Sequence, residues 1–326
     1  MEQRLPTFED ILAARERLAP WAVETPLLEH PVLNAKLGGR VLLKAETLQR
    51  VGAFKFRGAY NRIAQVDRGA FPGGVVACSS GNHAQGVAAA ATLCGLRSLI
   101  VMPGDAPRLK LDRTKAFGGE VLTYDRVKED RDAIARAVCV ERKAAYVHPF
   151  DDPGVIAGQG TVGLEIVEQA GAMGVVPDAV LVPCSGGGLV SGIAIAVKRA
   201  HRATEIYTVE PVGFDDFARS LMNGRRESNQ QLAGSICDAL LVAAPGEITF
   251  EIGRRTVNGG LTVTDEEVRS AMRFAFHELK LVVEPGGATA LAALLADKIP
   301  VAARTIVSVL SGGNVDPKLY AEIIMG

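Results

Sequence analysis

Several features that would place this chain in a specialised class are scarce or missing. Its 326 residues include a single tryptophan and only five cysteines, which are widely spaced at positions 78, 94, 139, 184 and 237 with no Cys-X-X-Cys pair. An odd number of scattered thiols argues against a disulfide framework and against a cysteine-based zinc site. We therefore expect free thiols, most of them in the core, and a cytoplasmic protein.

Neither a strong net charge nor a long apolar run is present. The formal net charge is −1, from 36 Lys and Arg against 37 Asp and Glu, and there is no basic stripe of the kind that binds nucleic acids. Apolar runs such as "AVLVPC" and "TIVSVL" have the length of strands and fall far short of the roughly 18 residues of a membrane helix. The N-terminal stretch carries mixed charges and lacks the apolar segment of a signal peptide. We predict no nucleic-acid partner and no membrane partner.

Short β-branched apolar runs alternate with longer segments of helical period along most of the chain. For example, "GVVACSS" is followed by "GNHAQGVAAAATLCG" and then by "RSLIVM". Further predicted strands are "EVLTY", "AYVHPF" and "EIYTVEP", and "GAYNRIAQV" is a predicted helix. Continuous apolar strands that alternate with helices are typical of parallel sheets covered on both faces. The length exceeds what one ordinary core organises. We predict an α/β protein in which residues 1–70 and 151–326 form a large domain and residues 71–150 form a small one.

The first of three glycine-rich turns is "CSSGNHAQG", which leaves a predicted strand and enters a predicted helix. Backbone N–H groups and the hydroxyls of Ser79 and Ser80 gather there at a helix N-terminus, an arrangement that binds anions. A simple N-cap would need only one of these serines. Asn82 and His83 in the first turn add more polar groups than a cap requires, which favours a binding site.

The other two turns also follow strands. In "PCSGGGLVSG", Ser185 precedes Gly186, Gly187 and Gly188, and successive glycines let a backbone approach an anion closely at a helix N-terminus. No Gly-Lys-Ser/Thr follows, so this is a phosphate-binding turn without the Walker lysine. In "VLSGGNVD", Ser311 ends the last strand. Because ligands bind beyond the carboxyl ends of parallel strands, the three turns are expected to converge on one crevice.

A literal Gly-X-Gly-X-X-Gly motif occurs in "GQGTVG", at residues 158–163. In a dinucleotide-binding fold this motif follows a strand, and an acidic residue lies about 20 residues further on. Here it follows "DDPGVIA", and no acidic residue ends a strand at the fitting distance. We therefore do not expect a dinucleotide cofactor.

Lys55 lies between Phe54 and Phe56 in the stretch "VGAFKFRGAY". An amine enclosed by aromatic rings would be desolvated, which lowers its pKa and frees the neutral nucleophile. The alternative is an ordinary surface lysine. A neutral amine forms Schiff bases, so together with a phosphate-binding turn it fits pyridoxal phosphate as cofactor. A non-enzymatic nucleotide-binding module with a phosphate site is the competing hypothesis from another class.

In their order along the chain, these motifs resemble those of the fold type II pyridoxal-phosphate enzymes, the tryptophan-synthase β-subunit type. Within that group the chain resembles the serine/threonine dehydratase and serine racemase family. The resemblance implies a two-lobed α/β fold, a homodimer and a small amino-acid substrate. The matching segments are "TPLLEH", "LLKAETLQRVGAFKFRGA", "SSGNHAQGVA", "VIAGQGTVGLEI", "PCSGGGLVSGIA", "VEP", "VTDEEV", "VEPGGA" and "VLSGGNVD".

The resemblance also implies roles for individual residues. Lys55 would be the Schiff-base lysine and the base on one face of the cofactor, and Phe54 would pack beside the pyridine ring. Asn82 would hydrogen-bond the ring oxygen. Ser311 would contact the pyridine nitrogen and leave it largely unprotonated. The other implied binding residues are Gly186, Gly187, Gly188 and Leu189 for the phosphate, and Ser79, Asn82 and His83 for the substrate carboxylate.

Other positions distinguish the subfamilies. Ser80 stands where serine racemases carry the acid/base of the opposite face and where similar bacterial threonine dehydratases commonly have alanine. The carboxylates of Glu210 and Asp216, with the carbonyl of Phe214, match the racemase-like cation site and would suit Mg²⁺ or Ca²⁺. Phe150 stands where racemases often have asparagine, which is more typical of a dehydratase.

Three further positions bear on the substrate. Val51 and Ala53 replace the threonine and serine usual in this family, and Arg131 matches an arginine near the substrate, the alternative being a solvated helix residue. The predicted reaction is α,β-elimination from a β-hydroxy amino acid, giving a 2-oxo acid and ammonia. Threonine, serine, 3-hydroxyaspartate and phenylserine all carry the reacting atoms. The alternative is racemisation of serine or of an aspartate-type substrate, with Lys55 and Ser80 as opposed bases.

Overall fold

Ten β-strands form two sheets in the computed structural model, which describes residues 4–106, 108–125 and 128–326. The larger sheet has six strands, in the order β1 (Leu27–Glu29), β2 (Arg40–Ala45), β10 (Thr305–Leu310), β7 (Ala179–Pro183), β8 (Glu205–Pro211) and β9 (Gly259–Val263). The smaller sheet has four, in the order β5 (Glu120–Tyr124), β4 (Ser98–Pro103), β3 (Val75–Cys78) and β6 (Ala145–Tyr146).

Every strand pair is parallel except the pairing of β1 with β2 at one edge of the larger sheet. The central strands β3, β4 and β7 are buried along their whole length, as expected for parallel strands covered on both faces. The predicted α/β class with parallel sheets flanked by helices is therefore confirmed. All strands of the smaller sheet fall between Val75 and Tyr146.

Thirteen helices cover these sheets within the described ranges. They are α1 (Phe8–Leu18), α2 (Pro31–Leu37), α3 (Lys55–Ile63), α4 (Asn82–Leu93), α5 (Arg108–Ala116), α6 (Arg131–Arg142), α7 (Pro153–Ala172), α8 (Gly188–Ala200), α9 (Asp216–Asn223), α10 (Glu247–Thr256), α11 (Asp265–Phe274), α12 (Pro285–Leu295) and α13 (Pro317–Met325). Helices α4, α5 and α6 pack on the smaller sheet, α12 packs on the larger one, and α7 and α8 pack closely together.

The segment that carries "GQGTVG" belongs to a helix and not to a loop. Helix α7 begins at Pro153, where Asp152 caps it by accepting a hydrogen bond from the backbone N–H of Val155. The glycines serve close helix packing. A Cβ atom on Gly158 would lie 2.6 Å from the carbonyl oxygen of Arg57, and one on Gly192 of α8 would lie 2.5 Å from a backbone nitrogen of α7. The motif therefore lacks the strand-to-helix turn of a dinucleotide site.

Several predicted boundaries differ from the structure. "AYVHPF" contributes only Ala145 and Tyr146 to a strand, because the chain then turns towards Pro149 and the start of α7. Helix α3 begins at Lys55 rather than at Gly58. In addition, the sequence pattern predicts no helix or strand at β9, α2, α9, α10 and α13. Strand β9 begins with two glycines, which strands usually avoid, and it lies at a sheet edge.

A buried group of ions fixes the start of α3. The Arg57 guanidinium contacts Glu46 at 2.8 Å and Glu165 at 2.5 Å, and Lys44 contacts Glu165 at 2.6 Å. The Thr25 hydroxyl donates to Glu46. Lys44, Glu46 and Arg57 are at most 1% exposed. Because each buried charge has opposite charges and hydrogen bonds, the group is compensated and ties α3 to β2 and α7.

The remaining sequence expectations about thiols and membranes can be compared directly with the structure. All five cysteines are free, and three of them are buried. Within the described ranges, the structure contains no helix with the length and apolar character needed to span a bilayer.

Candidate functional site

Backbone pairing between two distant segments positions Lys55. The N–H of Phe54 donates to the carbonyl of Ser311 at 3.1 Å, and the N–H of Gly313 donates to the carbonyl of Gly52 at 2.9 Å. The turn ahead of Lys55 is strained, since Val51 has φ 60° and β-branched residues rarely adopt this left-handed conformation. The loop after β10 thus holds the loop that leads into α3, and Lys55 begins the helix beside the end of β10.

The Lys55 amine lies in a largely protein-lined environment that opens into a cavity. Its Nζ donates to the carbonyl of Pro149 at 2.7 Å and lies 5.2 Å from the centre of the Phe54 ring. Burial lowers the pKa of Lys55 to about 8. The expectation of two enclosing rings is wrong in one respect, because Phe56 turns into the core and packs against Tyr60 with ring centres 5.7 Å apart.

The cavity around Lys55 is lined from both sheets. The larger-sheet side supplies Phe54, Lys55, Gly186, Gly187, Gly188, Leu189 and Ser311. The other side supplies Ser79, Ser80, Asn82 and His83 from the turn after β3, together with Arg131 from the start of α6. Every residue predicted from the sequence to bind cofactor or substrate therefore faces one cavity, because the turns that follow β3, β7 and β10 meet there. Their individual roles stay predictions.

Two helices begin at this cavity without a side-chain cap. Helix α4 starts after Gly81 and α8 starts after Gly187, and neither has a side-chain hydrogen bond at its N-cap. The simple capping alternative for the serines is wrong, since the Ser79 hydroxyl accepts from the N–H of Gly81 instead. Uncapped helix N-termini offer backbone N–H groups and a positive dipole end to an anion.

The glycines of the second turn are required by its geometry. Gly187 has φ 92°, and a Cβ atom there would lie 2.2 Å from the Phe217 ring. A Cβ atom on Gly186 would lie 2.4 Å from the Phe150 ring. Aromatic rings therefore pack closely against this turn, and only a backbone without side chains can follow its path along the cavity.

His83 is neutral in this site. Its Nε2 is 3.0 Å from the carbonyl of Val147, which can only accept, so Nε2 carries the hydrogen and Nδ1 is left with a lone pair. Nδ1 is buried and has no hydrogen-bond partner among the described residues. Burial, with the nearby Lys55 charge, lowers the pKa of His83 to about 3. The imidazole therefore supplies no positive charge to a substrate carboxylate.

Arg131 agrees with both alternatives, since it is a cavity residue and also a solvated helix residue. It opens α6 and lines the cavity, yet its side chain is 57% exposed. Its Nε lies 4.0 Å from Asp132 Oδ2, and the Asp132 side chain is 52% exposed. A solvated pair at this distance is weak, so it does not prevent the guanidinium from binding an anion in the cavity.

Several cavity residues were not assigned a role from the sequence. Glu284 and Asn314 both contact Asn82, and Lys110 of α5 donates to Asp238 across the cavity. The motifs "EPGGA" and "SGGNVD" contain two of these residues, but nothing in their local pattern indicates which distant side chain they meet. The Lys110–Asp238 salt bridge joins residues 128 positions apart, so a pattern over a few residues cannot predict it.

The residues predicted to hold a cation, Glu210, Phe214 and Asp216, lie apart from the cavity, where β8 ends and α9 begins. The Glu210 carboxylate accepts from two backbone N–H groups in the first turn of α9, and Asp216 Oδ2 is buried without a partner among the described residues. Burial and the neighbouring Asp216 raise the pKa of Glu210 well above its ordinary value, and burial raises that of Asp216 to about 6. In the part of the chain that the structure describes, no three His, Cys, Asp or Glu side chains form a metal-ligand group.

This chain is similar in sequence and in fold to known proteins. A family model described as pyridoxal-phosphate dependent enzyme matches residues 18–312. The chain is 40% identical over 322 residues to L-threo-3-hydroxyaspartate ammonia-lyase of Saccharomyces cerevisiae, covering 99% of this chain and 97% of that protein. It is 38% identical over 320 residues to a serine racemase of Schizosaccharomyces pombe, covering 98% of each. A solved threonine deaminase of T.th. is 46% identical with a TM-score of 0.90, covering 95% of this chain and 99% of that one.

The chain belongs to the family of pyridoxal-phosphate dependent enzymes. The resemblance inferred from the ordered motifs is thereby confirmed. The site also fits the cofactor on its own chemistry, because a half-buried amine that deprotonates near pH 8 faces the same cavity as two uncapped helix N-termini. An aldehyde that also carries a phosphate needs these two partners together.

The lowered pKa of Lys55 gives a direct prediction for the protein freed of cofactor. The reactivity of Lys55 towards an acylating reagent should rise with a midpoint near pH 8, because only the neutral amine reacts and burial lowers its pKa from 10.5. Mass spectrometry of peptides after brief labelling across a pH series measures this. Lys36, exposed on α2, is the internal reference. A Lys55 midpoint that coincides with that of Lys36 would contradict the burial argument.

Proposed function

We propose that this protein is a pyridoxal-phosphate-dependent ammonia-lyase that converts L-threonine, L-serine or a related β-hydroxy amino acid to a 2-oxo acid and ammonia. The observation that carries the proposal is the single cavity in which the Lys55 amine faces the glycine turn of α8. The names of similar proteins, which include an L-threo-3-hydroxyaspartate ammonia-lyase and a threonine deaminase, support it.

Each part of the cavity has a task in this reaction. Pyridoxal phosphate, when bound, supplies an electron-withdrawing ring for the bond broken at the substrate α-carbon. Lys55 would hold the cofactor through its amine and, as a free amine, would take the proton from the substrate α-carbon. Phe54 would pack by the ring, Asn82 would donate to its oxygen, and Ser311 would contact its nitrogen. Backbone N–H groups of Gly186, Gly187, Gly188 and Leu189 would hold the phosphate.

The substrate carboxylate is held at the start of α4. Ser79, Asn82 and His83 lie there, and His83 contributes through its backbone N–H because its imidazole is neutral and bonded to Val147. A carboxylate at an uncapped helix N-terminus meets both free N–H groups and the positive end of the dipole. Arg131, which lines the same side of the cavity, would meet a second carboxylate on the substrate side chain.

We further propose the finer features that the sequence predicts. Residues 1–70 and 151–326 form the large domain and residues 71–150 the small one, and the protein is a cytoplasmic homodimer. Glu210, Asp216 and the Phe214 carbonyl hold Mg²⁺ or Ca²⁺. Asp216 Oδ2 has no partner among the described residues, and the pKa of both carboxyls is raised, which supports a cation there; Glu210 also accepts from N–H groups in the first turn of α9.

The proposal is tested by steady-state kinetics on four substrates. We expect kcat/KM for ammonia release to be measurable with L-threonine, L-serine, 3-hydroxyaspartate or phenylserine, and the ranking identifies the side-chain pocket. A preference for 3-hydroxyaspartate would point to Arg131, and a preference for phenylserine to an apolar wall that includes Phe150. Parallel assays with Mg²⁺ and with EDTA test the cation site. Absence of 2-oxo acid from all four substrates with cofactor bound would contradict the proposal.

Racemisation is the second candidate function, because Ser80 lines the same cavity as Lys55. With L-serine as substrate, Ser80→Ala should lower the rate of D-serine formation by about 10²-fold or more while pyruvate formation continues, since a general acid–base group contributes about 10²–10⁴-fold. Both products are measured in one incubation. Ser270→Ala, on the exposed surface of α11, is the control. Unchanged D-serine formation would exclude Ser80 as the second base.

A further inference from the structure

The side-chain amide of Asn314 has only one possible orientation. Its Nδ2 donates to the backbone carbonyl of Val51 at 2.7 Å and to Asn82 Oδ1 at 2.8 Å, and its Oδ1 accepts from the Arg113 guanidinium at 2.9 Å. A backbone carbonyl can only accept and a guanidinium can only donate. The contacts on both sides therefore assign the nitrogen and the oxygen of this amide without ambiguity.

The orientation of Asn314 determines that of Asn82. The Asn82 atom that faces the Asn314 Nδ2 must be an acceptor, which makes it Oδ1, so Nδ2 is on the other side and donates to Glu284 Oε1 at 2.5 Å. Asn82 is 9% exposed and lines the cavity. Within the described part of the chain, Nδ2 has no second acceptor, so one N–H remains for a ligand in the cavity.

Glu284 is fitted tightly into its position behind Asn82. It lies at the N-cap of α12 and is 6% exposed, and its backbone N–H donates to the carbonyl of Gly312 at 3.0 Å. A Cβ atom on residue 312 would lie 2.2 Å from Glu284 Oε1. The glycine thus makes room for the carboxylate. Burial, with Asp238 nearby, raises the pKa of Glu284 to about 7. A carboxyl group keeps an accepting oxygen in either protonation state.

We infer that Glu284 and Asn314 are positioning residues that fix the Asn82 amide so that it presents an N–H, and not its carbonyl, to an oxygen acceptor of the bound cofactor. The inference rests on the cofactor site of the proposed function. It goes beyond that proposal because it assigns a role to two residues that contact only another side chain. Asn314, which is 232 residues from Asn82 along the chain, determines that the Asn82 amide offers its N–H to the cofactor.

Substitutions at Glu284 distinguish the length of its side chain from its charge as the property on which Asn82 depends. Glu284→Gln keeps the length of the side chain and an accepting oxygen but loses the charge. Glu284→Asp keeps the charge but withdraws the carboxylate from Asn82 by one methylene group. If Glu284 acts by holding Asn82, the dissociation constant of pyridoxal phosphate should rise about tenfold for Glu284→Asp and Glu284→Ala, since one hydrogen bond is worth about a factor of ten. Glu284→Gln should stay within about threefold of the unaltered protein.

A double-mutant cycle with Asn82→Ala tests whether Glu284 acts through Asn82. Once Asn82 is alanine, a further Glu284→Asp change should not weaken cofactor binding by more than about twofold. The readout is titration of the cofactor-free protein with pyridoxal phosphate, followed by the visible absorbance of the bound form. The matched control is Glu205→Ala. It removes a carboxylate that pairs with Arg304 at the start of β8, the end of that strand opposite to the cavity.

The outcomes are distinct. Additive effects of the Glu284 and Asn82 changes, or loss of affinity in Glu284→Gln with none in Glu284→Asp, would overturn the inference and indicate that the charge acts directly. Thermal unfolding of each cofactor-free variant identifies a folding defect. If Glu284→Ala does not fold, cofactor binding is measured with Glu284→Asp instead. Failure of the unaltered protein to bind pyridoxal phosphate would overturn the proposed function itself.

Discussion

Lys55→Ala should lower kcat/KM for ammonia release by about 10⁴-fold or more and should remove the visible absorbance of the bound cofactor. The reason is that one amine carries two tasks in the proposed reaction. It holds the cofactor covalently, and it takes the α-proton of the substrate, a general-base step that alone contributes about 10²–10⁴-fold. The lowered pKa of about 8 leaves a substantial neutral fraction near physiological pH.

The measurement is steady-state ammonia release with the best of the four substrates, together with the absorbance spectrum of the purified protein. Lys36→Ala, which removes an exposed amine on α2, should change neither. Retained activity in Lys55→Ala would contradict the assignment of the base. Phosphate-ester binding without colour in both proteins would instead support the non-enzymatic nucleotide-binding module.

Arg57→Ala should lower the free energy of unfolding by about 3–5 kcal/mol, the usual cost of removing one partner from a buried ion pair. The guanidinium contacts Glu46 and Glu165, and after its removal the fully buried Glu46 would depend on the nearby Lys44 for a compensating charge. Because Arg57 lies two residues after Lys55 in α3, cofactor affinity should fall as well. Urea unfolding of the cofactor-free protein measures the stability change.

An exposed ion pair on the same protein is the matched control. Arg15 and Glu168 contact each other at 2.5 Å, but their side chains are 48% and 58% exposed. Solvent screening reduces such pairs to about 0–1 kcal/mol, so Arg15→Ala should be nearly neutral. Equal destabilisation by both alanine variants would mean that burial of the Arg57 group is not what makes it important.

The fold class and the lysine proposed to bind the cofactor can be predicted from the sequence because both predictions depend on nearby residues. Strand and helix periods extend over a few residues, and β5 and β8 occur with the predicted boundaries. The expected environment of Lys55 is only partly correct. Neighbours in a sequence point in different directions once a helix forms, so Phe54 faces the amine while Phe56 turns into the core. The lysine is desolvated by the Pro149 region and the cavity walls instead.

Local pattern alone determined which residues of this protein are proposed to carry chemistry: a lysine in an aromatic setting, three glycine-rich turns after strands, and polar groups at helix starts. The tertiary structure decided which of them meet. Asn82 reaches Glu284 across 202 residues and Asn314 across 232, and Lys110 reaches Asp238 across 128. Periodicity and capping describe contacts within a few residues, whereas these hydrogen bonds exist only because β3 and β10 belong to different sheets whose ends face the same cavity.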